Sequence, residues 1–77
     1  MIRLCDLNIG EEARVIYING DSERLMDLGF TMGATVVPLM RAPALVHKEN
    51  AMTAYSVRST AIALRREESE RIMVEII

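Results

Sequence analysis

Tryptophan is absent from this chain, Phe30 and two tyrosines supply its only aromatic rings, and cysteine, histidine and lysine occur once each, as Cys5, His47 and Lys48. A single cysteine excludes an internal disulfide and fits a reducing compartment, so a cytoplasmic location is expected. Cys5 and His47 have no paired spacing of the kind a structural zinc site uses. Cys5 is read as a small buried apolar side chain and His47 as a solvated ring in a polar loop. The same scarcity leaves no activated serine or cysteine beside a base, so no enzyme is expected. Gly10, Gly20, Gly29 and Gly33 never lead into the Gly-Lys-Ser/Thr that holds a nucleotide's phosphates, which excludes GTP hydrolysis by this chain. Long hydrophobic runs are missing too. The uncharged stretch Phe30 to Met40 contains Gly33 and Pro38 and is about half the ~20 residues a membrane-spanning helix needs. At the amino end Asp6 interrupts any secretory pattern.

What is present is 77 residues, 51% apolar, with a formal charge of −2. That size makes one domain, residues 1–77, which buries only somewhat more than ~60% of the surface its unfolded chain exposes. With so few rings, the core must come from Ile, Val, Leu, Ala and the six Met. The acidic balance excludes nucleic-acid binding through bulk electrostatics, since phosphate contacts need clustered positive charge. Glu67, Glu68 and Glu70 form the densest acidic group, but Arg65, Arg66 and Arg71 interleave with them. They read as a solvated face rather than a metal site, and neither metal nor cofactor is expected.

Short apolar runs separated by turn residues indicate a small barrel of strands. Ala13 to Ile18 is β-branched and ends at Asn19-Gly20-Asp21, a strong turn signal. Gly33 opens a second strand, Ala34 to Arg41, in which Pro38 requires an edge or a bulge. Pro43 closes it, and Ala44 to Asn50 is a loop. Met52 to Val57 and Ala61 to Leu64 form a hairpin reversing at Arg58-Ser59-Thr60. Arg65 to Glu70 makes a helical turn before a last alternating strand at Ile72 to Ile76. The two ends of the chain can then pair. Periodicity alone fits an SH3-like or an OB-like barrel of about five strands with one inserted helix.

That helix occupies Arg24 to Leu28. Asp21 or Ser22 can accept from the free N–H groups of its first turn, and Gly29 supplies the left-handed stop. One or two turns are far short of the ~12–15 residues needed for independent stability, so its leucines must be held by the barrel. Arg24 and Asp27 are spaced to pair across its outside. Leu25, Met26, Leu28, Phe30 and Met32 are the candidate docking residues. Leu25 and Leu28 share a face that suits burial, whereas Met26 and Met32 are the better candidates for exposure and can adapt to a partner's shape. An amphipathic element beside a barrel edge can receive a partner in a groove or by strand addition.

The run Arg24-Leu25, Asp27-Leu28-Gly29 and Gly33-Ala34-Thr35 resembles the FeoA family of small ferrous-iron transport proteins. Leu4-Cys5-Asp6-Leu7 through Val15 is similar to that family's leucine-rich turn and first strand. Arg41-Ala42-Pro43, Ala63-Leu64-Arg65-Arg66-Glu67-Glu68 and Ile72-Met73-Val74-Glu75 follow in the family's order. The resemblance implies an all-β fold with a short inserted helix, an SH3-like barrel. It implies an accessory role without a cofactor, with the membrane ferrous-iron transporter FeoB as partner through its GTPase domain or membrane region. Carried over, the signature falls on Arg24, Leu25, Asp27, Leu28, Gly29, Gly33, Ala42, Pro43, Leu64 and Arg65, with Gly29 and Gly33 structural. The contact surface is expected near Leu25, Met26 and Phe30, with no nucleic acid, no membrane insertion and room for a weak homo-oligomer. Departures are the longer 44–50 loop and Ser59, where the family commonly has glycine. An alternative is a regulatory role like that of the related carboxy-terminal domain of iron-dependent transcriptional repressors. A third class, the small RNA-binding barrel, is disfavoured by net acidity and the lack of a basic, aromatic strand face.

Overall fold

The computed structural model describes residues 1–42 and 52–77. The loop expected over 44–50, with His47, and the strand stop at Pro43 lie outside the described residues. The chain runs β1 (Ile2–Arg3), a one-turn 3-10 helix (Leu4–Asp6), β2 (Ala13–Ile18), α1 (Glu23–Asp27), β3 (Thr35–Ala42), β4 (Met52–Val57), β5 (Thr60–Arg65), α2 (Arg66–Ser69) and β6 (Ile72–Ile76). One antiparallel sheet takes the order β1-β6-β2-β3-β4-β5. The described strands number six instead of about five, because β1 is two residues long and too short for alternation to reveal it. It pairs Ile2 with Val74, so the two ends of the chain meet on β6.

Two bulges curl the sheet around its core. In β2 the register against β6 shifts between Val15 and Tyr17. Ile16 is the extra residue, and the buried positions step from Ala13 and Val15 to Ile18 instead of keeping period two. In β3 the register against β4 shifts between Pro38 and Met40. The bulge demanded by Pro38 is thus present, next to the proline itself. On its other flank β3 pairs with β2 only at Thr35 and Val36, so Pro38 lies past that ladder and costs it no donor. The Pro38 carbonyl accepts from the Gly10 N–H at 2.8 Å, which ties the turn before β2 to β3.

β4 and β5 are joined by a two-residue turn, since Val57 and Thr60 are direct partners. Arg58 and Ser59 have φ of 50° and 64°. Two successive left-handed residues are the geometry whose twist matches a hairpin, and it favours Asn-Gly over Arg-Ser. Ser59→Gly is therefore expected to stabilise the domain by up to about 1 kcal/mol. A rise in the urea midpoint at constant slope is the check.

The core comprises Leu4, Leu7, Ala13, Val15, Ile18, Leu25, Phe30, Val36, Tyr55, Val57, Leu64, Ile72 and Val74, with Ile2, Leu28, Ala34 and Ile62 packed against it. Phe30 and Tyr55 meet edge to face, with ring centroids 6.3 Å apart and planes at 88°. No methionine belongs to this set of buried residues. The methionines expected to help fill the core stay outside it, and branched aliphatic residues fill it instead.

Candidate functional site

The α1 segment is built by local chemistry at both ends. Asp21 Oδ1 accepts from the Glu23 N–H at 3.2 Å, whereas the Ser22 hydroxyl turns away to Met26 Sδ at 3.3 Å. Of the two capping candidates, Asp21 does the work. At the other end Gly29 takes φ of 112°. Its N–H bonds the Met26 carbonyl at 3.0 Å, and the Phe30 N–H bonds the Leu25 carbonyl at 3.0 Å. That pair of bonds is a Schellman motif, whose usual accompaniment is an apolar contact between the two residues here occupied by Leu25 and Phe30. Both are buried in the core. A Cβ on Gly29 would also approach Arg58 Cδ to 3.3 Å. The Arg58 side chain clasps this corner, donating to Thr31 Oγ1 at 2.6 Å and to the Gly29 carbonyl at 3.4 Å.

These bonds divide the five candidate docking residues. Leu25 and Phe30 are buried and are removed from any contact surface, because the helix stop itself turns both inward. Leu28 is half-buried against the core. Met26 and Met32 are 41% and 51% exposed. Gly33 is exposed at φ of 85° with open space beside it, so it serves backbone geometry alone. Ala42 is exposed at the end of β3, and Leu64 is core. The expected pairing of Arg24 with Asp27 is replaced. Arg24 pairs with Glu68 and so links α1 to α2. Asp27 instead lines, with Asp21, Glu23, Arg24 and Leu28, an open recess of about 330 Å³ on the outside of α1.

The acidic run in α2 is more engaged than a solvated face. Glu68, besides meeting Arg24, accepts from the Arg65 backbone N–H at 3.2 Å and closes the first turn of α2, while Glu70 accepts from Arg66 Nε at 2.9 Å. Glu67 is exposed. Cys5 is half-buried, less enclosed than expected. A second apolar surface escaped sequence reasoning: Leu39, Met40 and Met52 are exposed, with Met40 opposite Ala54 and Ala54 opposite Ala63. Pro38 signalled the bulge, but not that Leu39 and Met40 would both be left outside the core by it.

Among the described residues no three His, Cys, Asp or Glu side chains come together to hold a metal ion. No described helix is long and apolar enough to cross a membrane. What the arrangement offers is a surface, with two flexible thioether side chains flanking a rigid helix stop.

The curled antiparallel sheet with a short helix between its second and third strands places the chain among small SH3-like β proteins. Residues 2–76 match the FeoA domain, and the chain belongs to the FeoA family. Its fold is similar to that of FeoA from Chlorobium tepidum, at 29% identity and a TM-score of 0.82 over 99% of this chain and 70% of that one. A FeoA-like protein from Clostridium acetobutylicum is 26% identical, with a TM-score of 0.81 over 99% and 86%. Stenotrophomonas maltophilia FeoA, solved with zinc, is 27% identical, with a TM-score of 0.70 over 97% and 91%. That protein is described as a procaryotic SH3 domain protein and put forward as a ferrous iron transport activating factor. A comparison with curated protein sequences returns no match.

Proposed function

We propose that this protein is a cytoplasmic accessory factor of ferrous iron uptake, which binds a FeoB-type transporter and changes its activity without catalysing a reaction itself. Family membership supports the iron-transport setting. The observation that supports the docking face is the exposure of Met26 and Met32 on either side of Gly29 while Leu25 and Phe30 are locked inside. The partner is its cytosolic GTPase domain or its membrane region. A module of this size can alter transport only by binding one conformation of the transporter more tightly than another, which shifts the population.

Calorimetric titration of the protein against the isolated GTPase domain of the cognate transporter, with GDP and with a non-hydrolysable GTP analogue, tests the reading. Binding whose affinity depends on the nucleotide is the expected result. Equal affinity in both states would contradict regulation through the GTPase cycle, and no binding in either would remove that domain as the partner.

A further inference from the structure

Away from α1, where the 3-10 helix, α2 and the β3–β4 ladder meet, Cys5, Arg41, Thr53, Arg66 and Ser69 line a recess of about 70 Å³. Arg41 and Thr53 are direct partners across β3 and β4, so their side chains leave the same face of the sheet. Ser69 is buried, and its hydroxyl is held by the Arg66 carbonyl at 3.1 Å and the Arg65 carbonyl at 3.4 Å. Burial pushes the pKa of the Tyr55 phenol up, so it stays a neutral hydroxyl. Burial also pushes the Cys5 thiol up, with Asp6 adding to the effect. The thiol therefore brings no negative charge to the recess at neutral pH.

Among the described residues each guanidinium is anchored by one bond. Arg41 donates to the Leu7 carbonyl, and Arg66 Nε donates to Glu70. A guanidinium carries five donors in a fixed fork, so a single anchoring bond positions the group and leaves further N–H groups to serve the recess. Two cations and the Thr53 hydroxyl line the recess, and the Ser69 hydroxyl beside them gives its proton to the backbone. At about 70 Å³ the recess has the scale of a small polar group. The donors that line it, on Arg41, Thr53 and Arg66, come from β3, β4 and α2.

We propose that this recess binds a tetrahedral oxyanion, inorganic phosphate or the phosphate group of a small ester, between Arg41 and Arg66 and against the hydroxyl of Thr53. The test is a titration of the isotope-labelled full chain with inorganic phosphate at constant ionic strength, followed by amide shifts, with methyl phosphate in a parallel arm. Saturable shifts at Cys5, Thr53 and Ser69 are expected, together with slower alkylation of Cys5 when phosphate is bound. Hydrogen bonds to a charged group are strong enough that Arg41→Gln and Arg66→Gln should each weaken binding ~10-fold or more. Arg14→Gln, on β2, should leave it unchanged. Tighter saturation by methyl phosphate than by phosphate would identify an ester as the ligand, and tighter saturation by phosphate would identify the free anion. Should either arginine variant fail to fold, Thr53→Val removes a hydroxyl while keeping strand propensity, and the same weakening is expected. Shifts that never saturate, or that survive these substitutions, would overturn the assignment.

Discussion

Leu25→Asp is expected to abolish folding. Leu25 is 2% exposed and holds the inner end of the α1 stop against Phe30. Removing a buried leucine costs ~2–5 kcal/mol in lost transfer energy and cavity. A carboxylate in its place adds the cost of taking an unpaired charge out of water, or of protonating it. The expected total stability of a 77-residue domain is only ~4–12 kcal/mol. The variant should therefore show collapsed amide dispersion and no cooperative thermal transition. A folded Leu25→Asp protein with the parent's melting temperature would mean that α1 swings free of the barrel, contrary to the packing described above.

Phe30→Ala has the second largest expected effect and separates core from contact more finely. Deleting a buried ring costs ~3–5 kcal/mol, and the edge-to-face partner Tyr55 loses up to about 1.5 kcal/mol more. For a domain of this size each kcal/mol lowers Tm by ~4–8 °C, so a fall of more than ~12 °C is expected. Some variant molecules should remain folded at low temperature, and those should bind the transporter domain as the parent does, because Phe30 presents nothing to a partner. A variant with normal Tm and impaired binding would place Phe30 at the interface and reverse its assignment.

Much of the fold was legible because its signals are local. β2 and β4 are bounded by Asn19-Gly20 and by the Arg58-Ser59 reversal, and both carry β-branched residues between those stops. Gly29 marked the helix end because few other residues sit comfortably at φ of 112°. What escaped depends on contacts distant in sequence. Spacing within a helix favours Arg24 with Asp27, but only the packed fold brings Glu68 of α2 within reach. The proline announced a bulge without saying that Leu39 and Met40 would be left outside. β1 is invisible because two residues hold no period, and it exists only through its partner Val74.

The candidate surface was legible in part. The leucine spacing correctly separated Leu25 from Met26, since residues three apart share a helix face and neighbours do not. Phe30 follows the glycine stop, where helical periodicity no longer applies. Its inward turn comes from the Schellman bond to the Leu25 carbonyl, which spacing alone does not encode.

The central claim is that Met26 and Met32 form a docking face that folding does not need. It is tested most directly on the double variant Met26→Asp/Met32→Asp, with thermal unfolding and titration against the transporter GTPase domain measured side by side. Both side chains are substantially exposed, so stability should change by no more than about 1 kcal/mol, twice the ~0.5 kcal/mol usual for one surface substitution. Losing a central contact of ~2 kcal/mol should weaken binding by ~30-fold. A folded protein with that loss of affinity is the predicted result. An unfolded variant, or one that binds as tightly as the parent, would contradict the account.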